Sequence, residues 1–219
     1  MDAQTRKQIA ALRLRADKPV LICDVDEVVL HFVRGFEEWL AQFGLWLDPA
    51  SYEFEGNVRR KEDGEAIPDE KLNALLGRFF AERIGDLAPI ELAAASLAEL
   101  SRAAQVVLLT NLPHEFHARR RENLARCGVR HPLITNSGPK GPAVRALARM
   151  SARAAVFIDD YPDFLDSARA HAPRAALVHF LHDPRFAPHA RRIEGDHARV
   201  TDWRQATEAI MRALEEAPS

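Results

Sequence analysis

The sequence contains little cysteine and little lysine. Only two cysteines occur among 219 residues. Cys23 lies in an apolar run and Cys127 precedes a glycine, so neither a disulfide framework nor a zinc site is expected. Lysine occupies five positions and arginine fills the other basic positions. Because arginine is preferred so strongly, a lysine such as Lys140 suggests a position that favours a compact point charge.

Long apolar runs and a strong excess of either charge are also absent. No apolar stretch approaches the ~18 residues of a membrane span, and residues 1–17 predict an amphipathic surface helix instead of a signal peptide. The 30 basic and 32 acidic residues are mixed along the chain and give a formal charge of −2. We therefore expect a cytoplasmic protein whose partners include neither a nucleic acid polymer nor a membrane. The sequence does not predict its oligomeric state.

Short apolar runs that alternate with segments of helical period indicate the fold class. Five runs predict buried parallel strands, at 20–23, 106–109, 132–134, 155–158 and 176–180. Helical period follows three of these runs, at 115–126, 143–150 and 163–170. Such alternation is typical of βαβ units. We therefore predict an α/β protein with a doubly wound parallel sheet.

A long gap interrupts this alternation after the first run. About 80 residues separate it from the second strong run, whereas a simple crossover needs roughly 20 to 30. Apolar residues have helical spacing at 33–46 and 69–84 within the gap. We predict that residues 32–90 form a small α-helical cap inserted into a core made of residues 1–31 and 91–219.

Polar and charged residues stand where three predicted strands end and where one helix begins. They are Asp24 and Asp26, Thr110 and Asn111, Asp159 and Asp160, and Lys140. Because ligands of open α/β sheets bind at the carboxyl ends of the strands, we expect these side chains to share one site. The histidines, including His179 and His182, complete no recognisable zinc pattern, so we expect solvent-facing or hydrogen-bonded rings.

Four carboxylates in one small space need a cation. Each close pair repels by about 4 kcal/mol at a separation of 4 Å and an effective dielectric near 20. Oxygen ligands without cysteine or histidine suit a hard ion, and Mg²⁺ bridges carboxylates to phosphate groups while it keeps several waters. A threonine hydroxyl and a lysine ammonium complete the charge match around a phosphoryl group. This combination is typical of a phosphoryl-transfer site.

The order of the residues separates two families that share this combination. In a response-regulator receiver domain the acidic pair follows the first strand and the phosphorylated Asp follows a later one. Here the order is Asp-x-Asp, then Thr, then Lys, then Asp-Asp. This order resembles the haloacid dehalogenase superfamily, whose four motifs match 24–28, 110–111, Lys140 and 158–162. The resemblance covers 19–30 and 95–180, and it implies the same doubly wound fold.

The resemblance also implies catalytic roles. Asp24 would be the nucleophile that forms an aspartyl-phosphate, and Asp26 would be the general acid and base. Dehalogenase members of the superfamily lack this second Asp, so Asp26 favours phosphorus over carbon chemistry. Three further residues would bind the phosphoryl group or offset its charge: Thr110, Asn111 and Lys140.

The same resemblance implies a set of magnesium ligands. Mg²⁺ would be held by the carboxylate of Asp24, the backbone carbonyl of Asp26 and the final acidic pair. Alignment on the following Ser167 favours Asp160 as the direct ligand and Asp159 as a supporting one, although a slip by one residue would exchange them.

The function implied is magnesium-dependent hydrolysis of a small phosphorylated metabolite. Relatives with a cap between the first two motifs generally act on small soluble substrates. The stretch 24–36 also faintly resembles the deoxyribonucleotidase branch, which suggests a nucleoside monophosphate. Two alternatives stay open: a phosphotransferase or phosphomutase of the same superfamily, and a protein that binds phosphate without catalysis. A hydrolytic dehalogenase is disfavoured by Asp26.

Overall fold

The computed structural model describes residues 1–195 and 197–216. In this part of the chain the strands are β1 (Val20–Cys23), β2 (Leu45–Leu47), β3 (Val58–Arg60), β4 (Gln105–Thr110), β5 (Leu133–Thr135), β6 (Ala155–Asp159), β7 (Ala176–Phe180) and β8 (Ala198–Val200). The helices are α1 (Ala3–Ala11), α2 (Phe32–Leu40), α3 (Asp69–Arg83), α4 (Ala93–Ala103), α5 (His117–Arg126), α6 (Gly141–Ala148), α7 (Pro162–His171) and α8 (Trp203–Glu216). None of these helices is long and apolar enough to cross a membrane.

Six strands form one parallel sheet in the order β5-β4-β1-β6-β7-β8. All four residues of β1, the central strand between β4 and β6, are buried. Leu21 and Cys23 pack on one face of the sheet, against α4, α5 and α8. Val20 and Ile22 pack on the other face, against α1, α6 and α7. The doubly wound parallel sheet predicted from the apolar runs is therefore confirmed.

Two elements at the end of the chain were not predicted. Strand β8 is a three-residue edge strand that pairs with β7, and only its last residue, Val200, is buried. Helix α8 buries Trp203, Ala206 and Ile210, and the Trp203 indole donates to the Val28 carbonyl at 2.8 Å. This hydrogen bond ties the last helix to the loop that follows β1.

Residues 32–90, called the insertion below, contain strands as well as helices. The predicted helix over 33–46 is wrong at its end, because α2 stops at Leu40 and one 3₁₀ turn follows to Phe43. Gly44 then takes a left-handed φ of 66°, which suits glycine. The chain continues into β2, which pairs with β3 in a small antiparallel sheet. The spacing of the apolar residues alone did not predict this break.

The two connections between the insertion and the rest of the chain lie side by side. The amide of His31 donates to the carbonyl of Ala88 at 2.9 Å, and the amide of Ile90 donates to Val29 at 2.8 Å. Above them, α2 and α3 enclose aromatic rings, with Phe36 and Phe79 only 5.1 Å apart between centroids. The apolar residues of the insertion are thus continuous with the core on one face of the sheet, and the insertion meets the sheet close to the end of β1.

Gly141, the first residue of α6, permits a close approach between α6 and α7. A Cβ atom at this position would overlap the backbone carbonyl of Ser167, whose hydroxyl accepts from the Gly141 amide at 3.0 Å. We expect Gly141→Ala to lower the free energy of unfolding by about 1–3 kcal/mol in urea titrations. The control is Gly77→Ala in α3, where a Cβ meets nothing within 4 Å, and which should be stabilising by up to ~1 kcal/mol. Equal stabilities of the two variants would contradict this packing account.

Candidate active site

The sheet brings the predicted site residues to one edge. Asp24 directly follows β1, Thr110 is the last residue of β4, and Asp159 is the last residue of β6. Lys140 immediately precedes α6. Because β1 pairs with both β4 and β6 in parallel, these strand ends are neighbours.

Lys140 lies between two carboxylates. Its Nζ is 2.6 Å from Oδ1 of Asp24 and donates to Oδ2 of Asp159 at 2.7 Å. All three residues are buried. Burial disfavours the charged form of Lys140, but the charges of Asp159 and Asp24 outweigh it and raise the pKa of Lys140. Lys140 therefore stays an ammonium in this site.

Three carboxylates could hold a metal ion. Oxygen atoms of Asp24, Asp159 and Asp160 all lie within 4.8 Å of one another. Burial raises the pKa of Asp24 to about 7 and the pKa of Asp160 well above its usual range. If all three carboxylates ionise, their charge of −3 and the charge of +1 on Lys140 leave a formal charge of −2. Oxygen ligands and this charge deficit fit a hard divalent cation such as Mg²⁺.

The two residues of the acidic pair have different surroundings. Asp159 is fully buried, and its carboxylate accepts from Lys140 through Oδ2 and from the amide of Tyr161 through Oδ1 at 2.9 Å. Asp160 lines the cavity described below. Its Oδ2 accepts from the hydroxyl of Tyr52 at 2.9 Å.

Asp26 has a hydrogen-bond donor at each carboxylate oxygen. The hydroxyl of Thr110 donates to Oδ2 at 3.1 Å, and Nη2 of Arg120 donates to Oδ1 at 2.7 Å. The Arg120 side chain, on α5, is fully buried. The predicted role of Thr110 in binding a phosphoryl oxygen stays a prediction, and in the structure its hydroxyl donates to Asp26. These two donors fix the orientation of the Asp26 carboxylate.

Asn111 joins the loop after β4 to the loop that carries Lys140. Its amide donates to the carbonyl of Gly138 at 2.9 Å, and its carbonyl oxygen accepts from Asn136 at 2.8 Å. Asn111 also lines the cavity. It therefore lines the same cavity as Lys140 and Asp24.

Glu27 and His182 form a further pair beside Asp26. Glu27 has a φ of 58°, an uncommon left-handed conformation for a residue other than glycine. Its carboxylate accepts from the amide of Val33 and lies 2.6 Å from Nε2 of His182. His179 donates to the carbonyl of Asp160 at 2.9 Å. Both histidines are thus hydrogen-bonded, as expected from the sequence.

A cavity of about 340 Å³ opens above these residues and beneath the insertion. Asp24, Asp26, Lys140 and Asp160 line its inner end. The ring of Phe164 lies 4.6 Å from the Lys140 ammonium. The cavity can therefore receive a small molecule with one end against the carboxylates.

Solved structures with the same architecture are known, although no protein-family model and no curated protein matches the sequence. A HAD family hydrolase from Deinococcus radiodurans, solved with bound phosphate and sodium, is 20% identical with a TM-score of 0.58, and the match covers 91% of this chain and 97% of that one. A haloacid dehalogenase-like protein from Agrobacterium tumefaciens is 13% identical with a TM-score of 0.60, over 90% and 99% of the two chains. The chain has the haloacid dehalogenase fold.

The haloacid dehalogenase fold hosts more than one activity among the similar structures. One is the L-2-haloacid dehalogenase PA0810, 14% identical with a TM-score of 0.59 over 89% of this chain and 99% of that one. Another is a protein assigned as a β-phosphoglucomutase from Thermotoga maritima, 14% identical with a TM-score of 0.54 over 90% and 100%. At such identities the likeness extends to the fold only, so the reaction must be argued from the site.

Some residues of the site were missed in the sequence. Arg120 stands in the run 119–121 of three arginines, which is typical of a solvated helix face. Arg120 lies three residues before Asn123 and four before Leu124, which are also buried. This helical spacing was the available signal that Arg120 lies on the buried face of the helix. Tyr52 lies in a loop of the insertion without periodicity, so nothing in the sequence predicted its contact with Asp160.

Proposed function

We propose that the protein is a magnesium-dependent phosphatase that hydrolyses a small phosphomonoester through an aspartyl-phosphate on Asp24. The observation that carries this proposal is the placement of two carboxylates with different surroundings in one cavity. Asp24 is buried beside Lys140, whereas Asp26 is oriented by Thr110 and Arg120. Such a pair can divide the roles of nucleophile and proton carrier.

In the first step a carboxylate oxygen of Asp24 attacks the phosphorus. A phosphorus–oxygen bond to Asp24 forms as the ester bond to the leaving alcohol breaks. Asp26, protonated at this stage, gives its proton to the leaving oxygen, so that a neutral alcohol departs. The Lys140 ammonium, 2.6 Å from Asp24, offsets negative charge on the nucleophile and the phosphoryl group.

In the second step water cleaves the aspartyl-phosphate. Asp26, now a carboxylate, takes a proton from the water as its oxygen attacks phosphorus. The bond between phosphorus and Asp24 breaks, inorganic phosphate leaves, and Asp26 is protonated again for the next cycle. The hydrogen bonds from Thr110 and Arg120 hold the same carboxylate in position for both transfers.

Magnesium would be held by Asp24, Asp160 and the backbone carbonyl of Asp26. Asp160 is the better direct ligand of the acidic pair, because both oxygens of Asp159 are already engaged by Lys140 and the Tyr161 amide. When bound, the ion would neutralise charge on the carboxylates and the phosphoryl oxygens. The similar structure from Deinococcus radiodurans was solved with bound phosphate and sodium.

Magnesium should stabilise the protein more at pH 7 than at pH 5. Burial raises the pKa of Asp24 from 3.8 to about 7, so within this window the folded protein keeps a proton that the unfolded chain has lost. Stability from this group is fully present below about pH 4 and is lost as pH rises to 7, by up to ~1.4 kcal/mol per pH unit. The ion competes with that proton and binds better near pH 7.

The measurement is the urea unfolding midpoint at pH 5 and pH 7, in EDTA and in Mg²⁺. In Asp24→Asn, the contribution of this carboxyl to the pH dependence of the unfolding midpoint should disappear. An equal gain in midpoint from Mg²⁺ at both pH values would contradict the assignment of Asp24 as a ligand.

The proposed reaction is tested by a substrate panel. Purified protein is incubated with nucleoside monophosphates, sugar phosphates and an aryl phosphate, with Mg²⁺ or with EDTA, and released phosphate is measured. We expect turnover of at least one ester in Mg²⁺ and none in EDTA. Absence of turnover throughout the panel would overturn the proposal.

One further candidate is transfer of the phosphoryl group from Asp24 to a second hydroxyl. The similarity to the protein assigned as a β-phosphoglucomutase favours it. With labelled substrate, label retained in an organic product would identify a transferase or mutase, whereas label in inorganic phosphate identifies the phosphatase. Magnesium-dependent phosphate binding without either product would identify a protein that only binds.

A further inference from the structure

The outer part of the cavity has aromatic walls. Tyr52 reaches the inner end, where its hydroxyl contacts Asp160, and the other lining rings apart from Phe164 are Phe32, Phe54, Phe80, Tyr161, Phe180 and Phe186. Tyr52 and Tyr161 are stacked with centroids 6.1 Å apart. Their hydroxyl groups donate to Asp160 and Glu53, respectively. These rings provide an apolar surface for the leaving group of a phosphate ester.

The charged residues in this outer part are all acidic. Glu53, Glu55 and Asp183 line it, and Glu27 lies further in, beside Asp26. Lys140, at the inner end, is the only Lys or Arg among the cavity-lining residues that the structure describes. Asp183 is paired with Arg185, and Glu27 is bonded to His182. Within the described residues, the Glu53 carboxylate accepts hydrogen bonds only from the Tyr161 hydroxyl. Among the described residues, the outer cavity therefore offers carboxylates and ring faces, but no lysine or arginine, to a bound molecule.

This distribution of charged residues determines whether the cavity favours an anionic or a cationic leaving group. Lys140 is already committed to Asp24 and Asp159, so it cannot also neutralise a distant second anion. An anionic group about 5 Å from one of the outer carboxylates would be repelled by an amount equivalent to roughly 100-fold in affinity. A cation, by contrast, is attracted to both carboxylates and aromatic faces. Contact with an aromatic face typically raises the affinity for a cation 3- to 30-fold.

We propose that the substrate is the phosphate ester of an amino alcohol, with an apolar body between the ester and the ammonium group. The apolar body lies against the aromatic walls, and the ammonium lies near Glu53 and Glu55 on the insertion. This inference rests on the proposed function, because it assumes that the phosphoryl group occupies the inner end of the cavity. This substrate class excludes esters with a second anion.

The test uses three benzylphosphonates, which cannot be hydrolysed, so binding is measured apart from turnover. They differ only in the para substituent, which is aminomethyl, ethyl or carboxymethyl. By calorimetry in Mg²⁺ we expect the aminomethyl compound to bind about 10-fold more tightly than the ethyl compound. We expect the carboxymethyl compound to bind at least 10-fold more weakly than the ethyl compound.

A double variant and a control test whether carboxylates of the insertion cause the preference for the ammonium group. The double change Glu53→Gln and Glu55→Gln should reduce the advantage of the aminomethyl compound at least 3-fold and leave the affinity of the ethyl compound unchanged. Glu62→Gln is the matched control, since Glu62 is exposed on the insertion but does not line the cavity. It should leave all three affinities unchanged.

Equal affinities for the aminomethyl and ethyl compounds, or tighter binding of the carboxymethyl compound, would overturn the inference. An unchanged preference in the double variant would overturn it as well. Because phosphonate binding needs no hydrolysis, selectivity for the ammonium in a protein without turnover would refute the proposed phosphatase and retain the charge selection. Turnover of phosphomonoesters without charge selection would retain the proposed phosphatase and refute the charge selection.

Discussion

Asp24→Asn is expected to lower kcat for any hydrolysed phosphomonoester by at least about 10⁴-fold. An amide has the shape of the carboxyl but lacks the nucleophilic oxygen, so no phosphoryl-enzyme can form. Since burial raises the pKa of Asp24, loss of this carboxylate should not lower stability in EDTA. The measurement combines steady-state phosphate release with a urea unfolding curve, which separates lost chemistry from lost folding.

The matched control for this variant is Asp86→Asn. Asp86 is an exposed acid that forms an ion pair with Arg126 at 3.3 Å and does not line the cavity. Its kcat should stay within about 2-fold of the wild-type value, because exposed ion pairs contribute little. If Asp24→Asn kept more than one tenth of the wild-type kcat in a folded protein, Asp24 would not be the nucleophile.

Asp26→Asn is expected to separate the two chemical steps. With an alkyl phosphate, kcat should fall by about 10²–10⁴-fold, because the leaving alkoxide then has no proton donor. With 4-nitrophenyl phosphate the leaving group needs no proton, so the first step survives. Hydrolysis of the aspartyl-phosphate still lacks its base, and the intermediate should accumulate.

Rapid-quench kinetics measure this accumulation. In Asp26→Asn, nitrophenol should appear in a burst that approaches one equivalent per protein molecule, followed by slow steady turnover. Wild-type protein should show a smaller burst at the same magnesium concentration. Equal losses of rate for the alkyl and nitrophenyl esters, without a burst, would mean that Asp26 does not act as the proton carrier.

Much of the core was predictable because its strands are buried on both faces. In β1 and β6 every residue is buried, which produces continuous apolar runs that few other structures require. The residues that end these strands, such as Asp24 and Asp159, then mark the site by position alone. Strand β8 has no such signal, because an edge strand of three residues with Arg199 exposed resembles a loop in the sequence.

The structural features that were not predicted depend on tertiary contacts, which leave no local pattern in the sequence. Phe43 continues the apolar spacing of α2, but Gly44 then takes a left-handed backbone conformation and the chain enters a strand at Leu45. Arg120 reaches Asp26 because α5 packs with one face toward the sheet. The contact between Tyr52 and Asp160 joins residues 108 positions apart, and such pairs are set by the folded chain as a whole.

The most direct test of the account is the chemical identity of the phosphorylated residue. The protein, as wild type and as Asp26→Asn, is mixed with 4-nitrophenyl phosphate and Mg²⁺, quenched in acid and reduced with borohydride, which converts an aspartyl-phosphate into homoserine. Peptide mass spectrometry then locates the reduced residue. We predict homoserine at position 24, enriched in Asp26→Asn and absent in EDTA. Modification at another residue, or phosphate release during turnover without modification of Asp24 in either protein, would contradict the account.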